Sequence, residues 1–304
     1  MIYTVTLNPA VDYFVELDDL KPGQVNRSRK EHKAPGGKGI NVSRVLKRLG
    51  HTSQTLGFIG GFTGDYIINT LQEEDITTSF VQVHGDTRIN IKMKGTEETE
   101  LNGTSPEITP NHLAQLIDQL DQLTESDILV LAGSVPGSLD DTIYTEWIHR
   151  VKKNGVKVFL DTSGHPLIDA VEAAPTFIKP NQHELSELVG TEINTPEEAL
   201  PYVRELTAKG IDYVFVTFAG DGAVLGTKEK VLFATTPKGT VQNSVGAGDS
   251  TLAGFLAASH KEVSLEEAFR FAVASGSSTA FSKGFCELSH VEELMEQVNI
   301  SELK

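Results

Sequence analysis

Short runs of apolar and β-branched residues recur at 2–7, 56–59, 127–132, 156–161, 177–178 and 213–218. Each is brief and apolar at successive positions, which predicts strands of a parallel sheet buried on both faces. Between the runs the period changes. In 38–49, Val42, Val45, Leu46 and Leu49 fall at i, i+3, i+4 and i+7, with Arg44, Lys47 and Arg48 opposite, which predicts an amphipathic helix. Thr195-Pro196-Glu197-Glu198 predicts a helix start with a cap, a first-turn proline and a capping-box glutamate, and Ser264-Leu265-Glu266-Glu267 repeats it without the proline. Strand and helix alternation predicts an α/β fold, helices on both faces of a mostly parallel sheet and right-handed crossovers.

Two stretches break this rhythm. Residues 12–18 with 26–34, and then 87–102, predict solvent-facing strands. In Arg88-Ile89-Asn90-Ile91-Lys92-Met93-Lys94 polar and apolar residues alternate strictly, and Gly95-Thr96-Glu97 predicts a hairpin turn toward 99–102. The Ile/Ile/Met face of such a strand needs a cover. A small lid sheet packed on a second copy of the chain supplies one, which predicts a homodimer joined through the lids.

The chain has 304 residues, 26 basic and 42 acidic, for a net charge of −16. That excess of acid argues against a nucleic-acid partner, which is bound by Lys and Arg facing phosphates. No window approaches ~18 apolar residues, so no membrane partner is expected. The opening MIYTVTLNPAVD lacks a basic stretch followed by a long apolar one, and the single cysteine, Cys286, allows no internal disulfide. A cytoplasmic protein is the expectation. The charge is uneven. Residues 21–60 hold nine bases and one acid, a local +8 that leaves −24 for the remainder. A solvated helix face accounts for such a cluster, and so does a locally built anion site.

Three glycine- or amide-rich segments carry candidate chemistry. Gly246-Ala247-Gly248-Asp249 precedes an apolar-periodic helix, so its glycines stand at a helix N-terminus, where free N–H groups and the dipole favour an anion. Read alone, Asp249 serves equally as a helix-starting acid. Gly36-Gly37-Lys38-Gly39-Ile40-Asn41 is a second glycine cluster opening a helix, with Lys38 as a mobile charge and Asn41 able to bond hydroxyls. It also reads as an ordinary loop-to-helix turn. In Asn181-Gln182-His183-Glu184 the i, i+3 amide and carboxylate suit a hydrated Mg²⁺, and equally a capping box. No Rossmann or P-loop glycine pattern is present, and Ser134 lies outside a G-x-S-x-G elbow.

Taken together and in this order, TLNPAVD at 4–12, the 36–41 cluster, Asn181–Glu184 and Gly246–Asp249, the chain resembles the PfkB branch of the ribokinase-like sugar kinases. The resemblance implies one three-layer α/β/α domain over 1–304, with a mostly parallel central sheet and a small β-sheet lid inserted at about 12–34 and 87–102. It implies ATP and Mg²⁺ and a phosphosugar substrate. Within the family, the opening, the lid strands and 243–250 are most similar to the kinases that phosphorylate fructose 1-phosphate at its 6-hydroxyl, with tagatose 6-phosphate kinases as the alternative. Asp249 is then the base, with Gly246, Ala247 and Gly248 as the anion hole. Asp12, Gly37, Lys38, Asn41 and Ser134 hold the sugar, and Arg27 and Arg88, from the lid strands, clamp its phosphate. Lys179, Asn181 and Glu184 organise the ATP phosphates and Mg²⁺, the metal held largely through water by Asn181 and Glu184. Thr217, Phe218, Ala219, Gly220, Asp221 and Gly222 form the nucleotide loop, although Phe218-Ala219 stands where relatives commonly carry leucine-glycine.

Overall fold

The computed structural model describes residues 1–259 and 263–304. The strands are β1 (Ile2–Thr6), β2 (Ala10–Glu16), β3 (Lys30–Gly36), β4 (Ser53–Ile59), β5 (Thr77–Thr78), β6 (Val81–Gln82), β7 (Arg88–Lys94) and β8 (Glu98–Asn102). They continue with β9 (Ile128–Ala132), β10 (Lys157–Asp161), β11 (Phe177–Ile178), β12 (Tyr213–Thr217), β13 (Ala223–Gly226), β14 (Val231–Ala234) and β15 (Ile300–Leu303). The helices are α1 (Lys38–Arg48), α2 (Gly61–Glu73), α3 (Pro110–Leu120), α4 (Ile143–Lys152), α5 (His165–Ala170), α6 (Gln182–Val189), α7 (Pro196–Ala208), α8 (Ala247–Ser259), α9 (Leu265–Ala280) and α10 (Leu288–Met295).

The central sheet runs β15-β14-β13-β12-β11-β10-β9-β1-β4-β5, with β6 paired to β4. From β12 to β5 the pairing is parallel, and β12 through β15 form an antiparallel edge that the hydrophobic runs do not announce. Alternate residues of the parallel strands feed two cores. Leu129, Leu131, Val158, Leu160, Val214 and Val216 join the core under α3–α7, while Val130, Phe159, Phe177 and Phe215 join the one under α1, α8, α9 and α10. Phe255 of α8 packs on Phe159, Phe177, Tyr213 and Phe215, seating that helix on the sheet. At 25 cal/mol per Å², each such phenyl contributes about 2–3 kcal/mol on burial.

The N-caps follow the sequence, but neither expected capping box is closed. Thr195 accepts the Glu198 N–H and Ser264 the Glu267 N–H, each from the third residue on. The Glu198 carboxylate, however, accepts from the Asn194 amide at 2.7 Å instead of closing a box onto Thr195.

The lid is a four-stranded sheet, β3-β2-β7-β8, with β2 and β7 parallel and both outer pairs antiparallel. The β7–β8 hairpin turns at Gly95–Glu97, where the Gly95 amide bonds the Glu97 carbonyl. Its strict alternation sorts Arg88 and Asn90 onto the face with Asp12, and Ile89, Ile91 and Met93 onto the other, beside Leu101. At the root of that second face Val11 packs with Ile40, Ile59 and Ile67. Level with Val11 on β7, Ile89 is 39% exposed, and farther out, on β8, Leu101 is 55% exposed. The lid joins the sheet without a linker: β1 ends at Thr6 and β2 begins at Ala10, while β3 ends at Gly36 and α1 begins at Lys38.

Candidate active site

The carboxyl ends of β1, β9 and β10 and the N-terminus of α1 meet beneath the lid, at the end of a parallel sheet where α/β proteins bind ligands. The cavity there, about 270 Å³, is lined by Thr6, Asn8, Gly37, Lys38, Asn41, Arg88, Gly133, Ser134, Thr162 and Ser163. Thr6 Oγ1 accepts the Ile40 N–H at 3.0 Å, satisfying one of the free donors of α1. Arg88 donates from Nη2 to the Asn8 carbonyl at 3.1 Å, while its buried Nε has no partner. Burial pulls the Arg88 pKa down against the pull of Asp12, yet a guanidinium stays charged. A fixed cation with a spare donor is suited to an anion in the cavity. Asp12 accepts from Asn90 Nδ2 at 3.0 Å, and burial pushes its carboxyl up against that bond and the charges of Lys92 and Arg88.

Four charged side chains stand at the centre. Asp161, the last residue of β10 and 1% exposed, meets Lys38 Nζ at 2.9 Å through one oxygen and Lys179 Nζ at 3.1 Å through the other. The second contact is an ion pair without hydrogen-bond alignment. Burial alone would raise the Asp161 carboxyl, but Lys179 and Lys38 hold it below the usual range. Burial likewise opposes the charge of Lys38, and Asp161, Asp249 and Glu184 outweigh it, so its pKa rises. Asp249, in the first turn of α8 and 6% exposed, accepts from Asn41 Nδ2 at 2.8 Å. Burial, and then Asp161, push its carboxyl up to about 6 against Lys38, the Asn41 bond and Lys179. A carboxyl so placed is ionised near neutrality while remaining basic enough to take a proton.

The turn before α8 is built for an anion. Gly246 sits at φ +78°, and a Cβ there would stand 2.5 Å from the Phe285 ring, so only glycine fits. At Gly248 an added Cβ would crowd Lys179 Nζ at 3.2 Å, placing that ammonium directly over the turn. Among the described residues the amides of Gly246, Gly248 and Asp249 have no acceptor, as expected at a helix start. The Ala247 amide departs from the expectation of a free anion-hole donor, because it closes the turn onto the Ser244 carbonyl at 3.2 Å.

Asn181 and Glu184 form the full capping box: the Asn181 side chain accepts the Glu184 amide at 2.9 Å and Glu184 Oε2 the Asn181 amide at 2.8 Å. The box holds Glu184 close enough to act on Lys38 electrostatically. It occupies one carboxylate oxygen and leaves Oε1 for a ligand. Among the described residues no group of three His, Cys, Asp or Glu could cage a metal; one free carboxylate oxygen beside an amide is a donor set of the kind that suits a Mg²⁺ keeping most of its waters. Thr217 bridges to Asn181, and Thr217 to Gly222 form a tight loop in which Asp221 donates to the Phe218 carbonyl and Phe218 to the Gly222 carbonyl. Phe218 is 2% exposed and belongs to the core, so its side chain anchors the loop and faces no ligand.

The fold therefore gathers Gly37, Lys38, Asn41, Arg88 and Ser134 around one cavity, with Asp12, Lys179 and Asp249 against it. Arg27 is not brought there. It lies in the exposed loop between β2 and β3, outside both strands, because Pro22-Gly23 and the Asn26 turn onto Lys21 end the pairing before it. Asp161 was not singled out by its sequence context, where it reads as the end of an apolar strand. An acid closing a buried parallel strand, at the ligand-binding end of the sheet, was the available signal.

The family model for pfkB family carbohydrate kinases matches residues 5–291. The chain belongs to that family. It is a sugar-phosphate kinase, a phosphotransferase, on a ribokinase-like fold. It is 50% identical to a 1-phosphofructokinase of Bacillus subtilis and 39% identical to a D-tagatose-1-phosphate kinase of Bacillus licheniformis, each over 100% of both chains. The solved phosphofructokinase-2 of Escherichia coli, in complex with substrates and products, superposes with a TM-score of 0.92 at 28% identity, covering 97% of this chain and 98% of that one. Among the described residues no helix is long and apolar enough to cross a membrane.

Proposed function

We propose that this kinase transfers the γ-phosphoryl of ATP to the 6-hydroxyl of fructose 1-phosphate, giving fructose 1,6-bisphosphate and ADP. The observation that carries this reading is Asp249 at the amide-lined start of α8, hydrogen-bonded to Asn41, which lines the same cavity as Arg88. Arg88 grips the existing phosphate, and Asp12, Lys38, Asn41, Ser134 and the Gly37 backbone bind hydroxyls. The Asp249 carboxylate takes the proton from the 6-hydroxyl as its oxygen bonds to phosphorus and the bridging P–O bond to ADP breaks. The amides of Gly246, Gly248 and Asp249, with Lys179, meet the charge on the moving phosphoryl group, which is where phosphoryl transfer gains most of its rate. Glu184, with Asn181, would hold Mg²⁺ through water, and the metal when bound neutralises charge on the ATP phosphates. Thr217 to Gly222 border the nucleotide.

A second substrate reading is tagatose 1-phosphate, favoured by the 39% identical relative named for it. It replaces tagatose 6-phosphate as the alternative, since the tagatose-kinase relatives carry the phosphate at C1 in their names. The two 1-phosphates ask the same of Arg88 and differ in one hydroxyl. We further infer a cytoplasmic homodimer, the outer lid faces bearing Ile89, Ile91 and Leu101 covering each other. A coupled ADP-release assay over a panel of ketose phosphates tests the function: the highest kcat/KM is expected with fructose 1-phosphate, and activity on unphosphorylated fructose alone overturns the reading.

A further inference from the structure

Behind the glycine turn runs a line of hydroxyls that the reaction does not touch. The Cys286 amide donates to Thr279 Oγ1 at 2.9 Å, Thr279 Oγ1 donates to Ser250 Oγ at 2.7 Å, and Ser250 Oγ donates to the Gly246 carbonyl at 2.8 Å. Ser250 and Cys286 are fully buried and Thr279 is 2% exposed. The polarity of the line is fixed from both ends. An amide can only donate and a carbonyl only accept, so each hydroxyl proton has one place to go. Chains of this kind strengthen one another in a low dielectric.

The line ends on the Gly246–Ala247 peptide, whose N–H closes the turn onto the Ser244 carbonyl and which lies between the free amides of Gly246 and Gly248. A peptide unit is planar, so holding a carbonyl fixes the N–H on its other edge. The Gly246 carbonyl is held twice, by the Ser250 amide at 2.9 Å and by the Ser250 hydroxyl, and the Ala247 carbonyl is held by Thr251 Oγ1 at 3.0 Å. The Thr251 bond, which is not part of the Thr279–Ser250 line, orients the peptide whose N–H belongs to Gly248, while the Ser250 hydroxyl holds the peptide just before it. Back-bonding from Ser or Thr to the carbonyl four residues earlier is common inside helices and by itself means little. Here the bonded carbonyls are those of the anion-binding turn, and Ser250 is itself held from a different helix.

The other end of the line is tied to α1. Phe285, beside Cys286, lies against Gly246, and its ring is stacked by Arg44 at 5.1 Å and Arg48 at 5.9 Å from its centroid. Arg48 also donates to the Phe285 carbonyl at 3.1 Å. The helix that carries Lys38 and Asn41 and the turn that carries Gly248 are therefore joined through 285–286 and α9.

We propose that Thr279 and Ser250 are positioning residues that hold the Gly246–Ala247 peptide and, through it, the free amides of Gly246 and Gly248 on either side, with Thr279 as the link between α9, the Cys286 amide and Ser250. This rests on the kinase reading above. Thr279→Val keeps the branched shape and removes the hydroxyl, and Thr279→Ser keeps the hydroxyl. Thr279→Val is expected to lower kcat about tenfold per folded molecule with KM for the sugar phosphate nearly unchanged, since misplacement by a fraction of an ångström at a reacting centre has effects of this order. Thr279→Ser is expected to restore kcat to within about twofold. A kcat within twofold of wild type in Thr279→Val, or a loss that serine does not restore, overturns the proposal. Hydrogen exchange read over 244–252 gives a test independent of substrate. Faster exchange there in Thr279→Val, and not in Thr279→Ser, is expected, and unchanged exchange overturns the proposal even if the wild-type protein phosphorylates no sugar in the panel. Inactivity of the wild type would defeat the functional reading alone.

Discussion

Replacing Asp249 by asparagine should disable the enzyme and stabilise it. The carboxyl is buried, and its pKa is raised from 3.8 to about 6. At about 1.4 kcal/mol per unit, roughly two units mean that keeping Asp249 ionised costs the fold about 3 kcal/mol. The sign follows from proton binding. The folded state binds the proton more tightly than the unfolded one, so the group lowers stability as pH rises through the interval from about 4 to about 6, and the full cost is present above it. Asparagine keeps the shape and can still accept from Asn41, with no charge to desolvate. Asp249→Asn is expected to raise the midpoint of thermal unfolding by about 5 °C at pH 8, by about half as much near pH 5, and to show almost no gain at pH 4. In the same preparation kcat should fall by ~10³ or more, because the base and a fixed charge at the reacting centre are both gone. Scanning fluorimetry across pH, paired with ADP release at pH 8, reads both. A variant less stable than wild type at pH 8, or a gain independent of pH, would refute the linkage argument, and near-normal turnover would refute the assignment of the base.

Asp161→Asn should move the acid limb of kcat/KM from about pH 6 to lower pH, because the Asp161 charge, after burial, raises Asp249; a limb that stays put or rises counts against that coupling. The same variant leaves buried Lys179 without its counter-charge, which should cost a few kcal/mol of stability. Arg88→Ala should raise KM for the sugar phosphate by about 10²-fold and leave KM for ATP within a few-fold, and equal effects on both would contradict the clamp. Light scattering at micromolar concentration should give a dimer that Ile91→Lys converts to monomer, and a monomeric wild type would contradict the lid interface.

The fold was largely legible because its buried strands are hydrophobic runs whose limits the structure moves by only a residue or a few. The antiparallel edge of β13 to β15 was not, since all three strands are four-residue pieces with no periodicity to count. In the site, the glycine turns were readable because a backbone that must approach a ligand restricts the residue type locally. The charge network was not. Asp161, Lys38 and Lys179 come from β10, α1 and the end of β11, and their pairing exists only once the sheet has assembled. Arg27 lies outside the strand expected at 26–34, because the turn at 21–26 decides where pairing begins and β3 starts at Lys30.

The direct splice of the lid into the sheet gives it leverage. With seven residues at about 3.3 Å each, β3 reaches about 23 Å outward from Gly36, and Asp12, paired to Ala34, lies only about 7 Å along that arm. A swing that carries the tip 3 Å moves Asp12 by about 1 Å, the scale on which reaction geometry is won or lost. Whatever seizes the far end of the lid therefore steadies the sugar at its root.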